Sequence, residues 1–125
     1  MRDQLLDQLS WNSRRYVTGP VRGLVVRFYG LNTTSMKTDA DWRDLEWAHH
    51  GAVVVEAFQD PWGWMNDATG DLFDDVIDAV RARHHLDPTL PLIAIGDSMG
   101  AHAALAYSFK SRHRVSVPVL LLKAR

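Results

Sequence analysis

The chain has 125 residues, 46% of them hydrophobic and 23% charged, enough for the core of one domain and too few for two. A net charge of −1 and the absence of cysteine exclude an overall polarity toward nucleic acid or an anionic membrane, disulfides, thiolate metal sites and a cysteine nucleophile. No apolar run approaches the ~18 residues of a membrane span, and the opening MRDQLLDQLSWNSRR sets acids among its leucines, unlike a secretory signal. The expectation is a soluble cytoplasmic protein with no nucleic-acid or membrane partner.

Residues 2–9 put Leu5, Leu6 and Leu9 on one face of a short amphipathic helix. Arg15 to Thr18 reads as a short strand, stopped by Gly19-Pro20. Gly23-Leu-Val-Val-Arg-Phe-Tyr-Gly30 is a second strand, rich in β-branched and aromatic residues. Thr38 supplies an N-cap for a helix whose buried stripe is Trp42, Leu45 and Ala48, with Gly51 as its stop. Residues 52–58 form a nearly continuous apolar run, as in a strand buried on both faces.

A loop with the sequence DPWGWMN precedes a long helix from about Gly70 to His85. Its first half is acidic and its second half basic, which complements the helix dipole. Leu92 to Ile95 is the next strand, Ser98 to about Arg112 a helix, and Val115 to Leu122 a last strand. The alternation predicts an α/β fold, a three-layer sandwich around a mostly parallel sheet with right-handed crossovers.

The chemistry concentrates in Leu92-Ile-Ala-Ile-Gly-Asp-Ser-Met-Gly-Ala-His. Gly-x-Ser-x-Gly alone is a weak signal, expected by chance in about 3% of chains this long. Its setting strengthens it. Between a buried strand and a helix, flanking glycines keep side chains out of a sharp turn, and the Ser98 hydroxyl projects above the carboxyl ends of the strands. The helix amides that begin there favour a developing oxyanion. Phe28-Tyr-Gly-Leu-Asn32 follows an earlier strand at the same end of the sheet.

These features resemble the α/β-hydrolase superfamily over roughly residues 15–112, most closely its prolyl-oligopeptidase-like and esterase-like branches. The resemblance implies a serine hydrolase of carboxylic ester or peptide bonds, with Ser98 as nucleophile and the backbone amides of Leu31 and Met99 as oxyanion donors. It implies no cofactor and no metal. Where the superfamily often has His-Gly, this chain has Tyr29-Gly30. Gly-Asp-Ser is also found in the GDSL hydrolases, but they carry it on the first strand and lack a glycine two residues after the serine. Trp62 and Trp64 lie at the carboxyl end of the sheet, where such folds bind ligands, and are candidate substrate contacts.

In the superfamily the acid and histidine follow the serine. Only about 27 residues follow Ser98, so residues 1–125 read as one incomplete domain, truncated after the nucleophile helix. His102 lies one turn along the same helix and points away from the turn. His49, His50, His84 and His85 close two helices, and His113 lies about 20 Å from the elbow at 1.5 Å per residue. His49 and His50 face different sides of their helix, which argues against a metal site.

Two other readings stand beside hydrolysis. One is a non-catalytic fold that binds a small molecule or partner. The other is a fragment completed by a second chain, with self-association through the apolar edge strand that only Pro118 interrupts. The basic cluster of the last third reads as solvated surface.

Overall fold

A computed structural model describes residues 3–28, 39–57, 66–97 and 99–121. The elements are α1 (Asp3–Leu9), β1 (Ser10–Asn12), one turn of 3₁₀ helix (Arg14–Tyr16), β2 (Gly23–Phe28), α2 (Trp42–His49), β3 (Ala52–Ala57), α3 (Asp67–Arg83), β4 (Leu92–Asp97), α4 (Met99–Lys110) and β5 (Val115–Leu121). Among the described residues the strands form one five-stranded sheet in the order β1-β3-β2-β4-β5. Its pairings are parallel except β1 with β3.

Strand alternation sorts the core into two layers. Leu24, Val26 and Phe28 of β2 join Val53, Val55 and Ala57 of β3 and Leu92 and Ala94 of β4 under α3 and α4. Phe73, Val76, Ile77 and Val80 of α3 and Ala103, Ala104 and Tyr107 of α4 close that layer. Phe28 and Phe73 meet with ring centroids 4.5 Å apart, a tilted aromatic contact. On the opposite face Val25, Val54 and Ile95 pack with Trp11, Trp47 and Ile93.

The two helices over the first layer are tied by a buried carboxylate. Asp74 of α3 accepts hydrogen bonds from the Tyr107 hydroxyl at 2.7 Å, the Ser111 hydroxyl at 2.6 Å and the Arg112 amide at 3.2 Å. Burial pushes the Tyr107 phenol above its ordinary value, and Asp74 beside it adds to the rise. The carboxylate thus ties α3 to the last turn of α4 and the residues that follow it.

Three sequence expectations change. The strand placed at 15–18 is instead Ser10–Asn12, and Arg14–Tyr16 forms a 3₁₀ turn. Ser13 causes the switch. Its amide donates to the Val54 carbonyl at 3.0 Å and its hydroxyl accepts from the Val54 amide at 2.7 Å, which ends the pairing. Val17 then enters the core as a single buried residue and not as part of a strand.

The second change concerns α2. Thr38 lies outside the described residues, and the N-cap is Asp41. Its carboxylate accepts from the amides of Arg43 and Asp44, while Asp44 accepts from the Asp41 amide, a reciprocal capping box. The helix stops where expected, at Gly51, which has φ +85°. The third change is the buried stripe of α2. Trp42 is 72% exposed and Leu45 46% exposed, while Asp44 and Ala48 are buried. The helix turns an acid inward because a charge rises from the sheet to meet it.

Candidate active site

The turn from β4 into α4 is the tightest approach of glycine to backbone in the described chain. A Cβ placed on Gly96 would lie 2.0 Å from the Gly100 carbonyl oxygen, 2.3 Å from its carbon and 2.8 Å from the Ala101 nitrogen. All three atoms are backbone, so no rotamer change relieves the contact. Only hydrogen at Gly96 lets the helix begin this close to the strand. The glycines two residues either side of Ser98 are therefore the two that the turn brings into contact.

Ser98 itself lies outside the described residues, as do Leu31, the Tyr29-Gly30 turn, Trp62 and Trp64. Met99 is the first residue of α4. The first amides of a helix have no acceptor within it, and the expected donor therefore stands at an end that a developing negative charge would suit. Asn66, read with the aromatic loop, is the N-cap of α3 and accepts from the Thr69 amide at 2.9 Å.

The topology fixes which charged groups share the elbow's end of the sheet. Helices α2, α3 and α4 run back against their strands, so each carboxyl end lies at the pole away from the elbow. His49 and His50 end α2, His84 and His85 follow α3, and His113 follows α4. All five thus sit at the opposite pole. The His113 ring lies 3.0 Å from the Asp78 carboxylate and 3.4 Å from the Asp74 carbonyl oxygen. The rings of His49 and His50 meet edge to face at 5.3 Å and do not diverge. Among the described residues no three His, Asp or Glu side chains are placed so that they could hold a metal ion. His102 alone stands near the elbow, exposed on the outer face of α4.

One cluster at the elbow's end was not read from the sequence. The Arg27 guanidinium, one residue from the end of β2, donates through Nη1 to Asp41 at 3.1 Å and to Asp44 at 3.3 Å. The register pairing Val26 with Val55 sets Arg27 beside Glu56 of β3, which is 1% exposed. Burial works against the charged guanidinium. The Asp41 hydrogen bond and the charges of Glu56, Asp41 and Asp44 outweigh it and hold the pKa above its ordinary value. Arg27 thereby joins the strand before the segment 29–38 to the helix after it. The signal was present: a lone Arg in GLVVRF and a lone Glu in AVVVEA, each inside a buried strand.

The same arrangement of strands and helices occurs in solved structures of enzymes. A highly thermostable carboxyl esterase from Bacillus coagulans matches at 19% identity and a TM-score of 0.62, over 89% of this chain and 38% of its own. A monoglyceride lipase from Saccharomyces cerevisiae matches at 16% identity and a TM-score of 0.56, over 82% and 36%. MenH from S. aureus matches at 14% identity and a TM-score of 0.53, over 90% and 41%. These are α/β-hydrolases, and the chain has their fold. It spans about two fifths of the length of each of these three structures. No protein-family model matches the sequence, and no curated protein matches it.

Proposed function

We propose that the chain is the nucleophile-bearing part of a serine hydrolase acting on carboxylic esters. The Gly96–Gly100 contact carries the reading: the turn leaves no room for a Cβ at Gly96, as a nucleophile elbow at Gly-x-Ser-x-Gly requires. The Ser98 hydroxyl attacks the ester carbonyl and gives its proton to a base. The amides of Leu31 and Met99 hold the oxyanion, and the alkoxide leaves with that proton. Water then hydrolyses the acyl-enzyme. The names of the matched structures, an esterase and a lipase among them, support esters over peptides.

The base and acid come from outside these 125 residues. Five of the six histidines stand at the wrong pole, and His102 is directed outward from α4. The pairing of Asp97 with Leu121 brings the end of β5 beside the end of β4. Polypeptide leaving β5 therefore departs about one strand spacing, ~4.8 Å, from the end of β4.

Fluorophosphonate labelling tests this, on the 125 residues alone and on the longest translated polypeptide that contains them. Strong labelling of the longer chain, abolished by Ser98→Ala, is expected, with weak labelling of the shorter one. A folded longer chain that does not label at Ser98 overturns the function. Equal labelling of both overturns the external base and directs attention to His102, tested as His102→Ala. Sizing chromatography of the same samples reads whether the β5 edge recruits a second copy.

A further inference from the structure

The two carboxylates of the α2 capping box each divide their oxygens between helix and sheet. Asp41 Oδ1 accepts from the amides of Arg43 at 2.9 Å and Asp44 at 3.0 Å, and its Oδ2 accepts from Arg27 Nη1 at 3.1 Å. Asp44 Oδ2 accepts from the Asp41 amide at 2.9 Å, and its Oδ1 accepts from the same Nη1 at 3.3 Å. One nitrogen on β2 therefore fixes both the place and the direction of the first turn of α2. Arg27 is itself held in the middle of the sheet, opposite Ile95 of β4 and beside Glu56 of β3.

The joint is built into the interior. The Asp44 side chain is fully buried, and Arg27 and Glu56 are nearly so. Taking these charges out of water is costly, and apolar side chains would fasten a helix to a sheet at least as well. Apolar packing does not supply direction, and hydrogen bonds from one nitrogen to two carboxylates do. A second ion pair nearby, Arg15 with Asp39 at 3.6 Å, is exposed on both sides and holds weakly. The chain between Arg27 and Asp41 includes Leu31, four residues after Arg27. An oxyanion donor is effective only when fixed where charge develops, and rigid supports fix it best.

We propose that Arg27 is a positioning residue for ester hydrolysis: by pinning Asp41 and Asp44 to β2, it sets the separation of the two ends of the chain that carries the Leu31 amide. This rests on the roles of Ser98 and Leu31 proposed above. Arg27 touches no substrate and takes no proton. Its contribution falls on the transition state, where the oxyanion develops, and not on the binding of an uncharged ester.

Hydrolysis of p-nitrophenyl butyrate by the longest translated polypeptide that contains these residues tests the clamp, with kcat expressed per site counted by exhaustive fluorophosphonate labelling. Arg27→Lys should lower kcat per site about tenfold, short of the roughly hundredfold loss that removing an oxyanion donor brings. KM should stay within about twofold. Affinity for a trifluoromethyl ketone, whose adduct with a serine is an oxyanion, should fall by the same factor as kcat. Tyr107→Phe, which loosens α3 and α4 away from this joint, should lower the melting temperature and leave kcat per site unchanged. A residue that serves folding alone would reduce the number of sites and not the turnover of each. The clamp is overturned by Arg27→Lys turning over within about twofold of the wild type, by a matching loss in Tyr107→Phe, or by a KM rise that accounts for the whole effect. A wild-type chain that does not label at Ser98 overturns the function proposed above, and the clamp with it.

Discussion

Replacing Arg27 by Met removes a guanidinium whose side chain is 13% exposed and keeps most of its volume. The neighbours left behind are Asp44, with a fully buried side chain, and Glu56, 1% exposed. Removing one partner of a buried ion pair costs about 3–5 kcal/mol, since the remaining charge stays out of water uncompensated. That is a large share of the 5–15 kcal/mol by which a domain of this kind is stable. With a urea slope of about 1.5–2 kcal/mol per molar, the midpoint should fall by about 2 M.

Arg27→Lys keeps the charge but loses the planar guanidinium whose Nη1 reaches both Asp41 and Asp44, and should fall between the Met variant and the wild type. A Met variant within about 1 kcal/mol of wild type would falsify the claim that Arg27 holds these carboxylates in place.

Gly96→Ala should cost roughly 3 kcal/mol or more, or prevent folding, because backbone occupies the space its Cβ needs; a urea midpoint near that of the wild type refutes this. Tyr107→Phe deletes one of the three hydrogen bonds that Asp74 accepts and should cost about 1–1.5 kcal/mol, read by thermal or urea melting. His84 has its pKa lowered by burial first, then by Arg14, Arg83 and His85. The unfolded chain therefore takes up a proton that the folded one refuses, and stability declines as pH drops below about 6.5. His84→Gln should flatten that decline between pH 7.5 and 5.5, and an unaltered slope counts against it.

Legibility in the sequence followed the kind of interaction. Apolar periodicity revealed β2, β3, β4, α3 and α4 within a few residues, because burial on one or both faces leaves a pattern of period 2 or 3.6. The Gly96–Gly100 contact was legible through the spacing of its glycines. The inward face of α2 was not. Trp42 and Leu45 have the hydrophobicity of a buried stripe, yet Asp44 takes that place to meet Arg27, a partner 17 residues earlier. Nor was β1, whose limits depend on one serine hydroxyl reaching Val54, 41 residues away. Local pattern carries no information about partners at such separations.

The parallel architecture also divides the chemistry between the poles. Every strand of β2, β3 and β4 ends where a helix begins, so open amides gather at the elbow's end and helix carboxyl ends at the other. Cations follow the carboxyl ends, and the sequence obeys: histidine pairs after α2 and α3, and Arg112 to Arg114 after α4. A histidine useful to Ser98 must run against this trend, on a connection that leaves a strand at its carboxyl end. Among the described strands β1 runs the other way, while β2, β3 and β4 lead into segments without histidine before their helices. The end of β5, paired across from Asp97, is the remaining departure point at that pole. Under the proposed role of Ser98 as nucleophile, the search for its base therefore begins with the connection that leaves Leu121, and not with the six histidines of this chain.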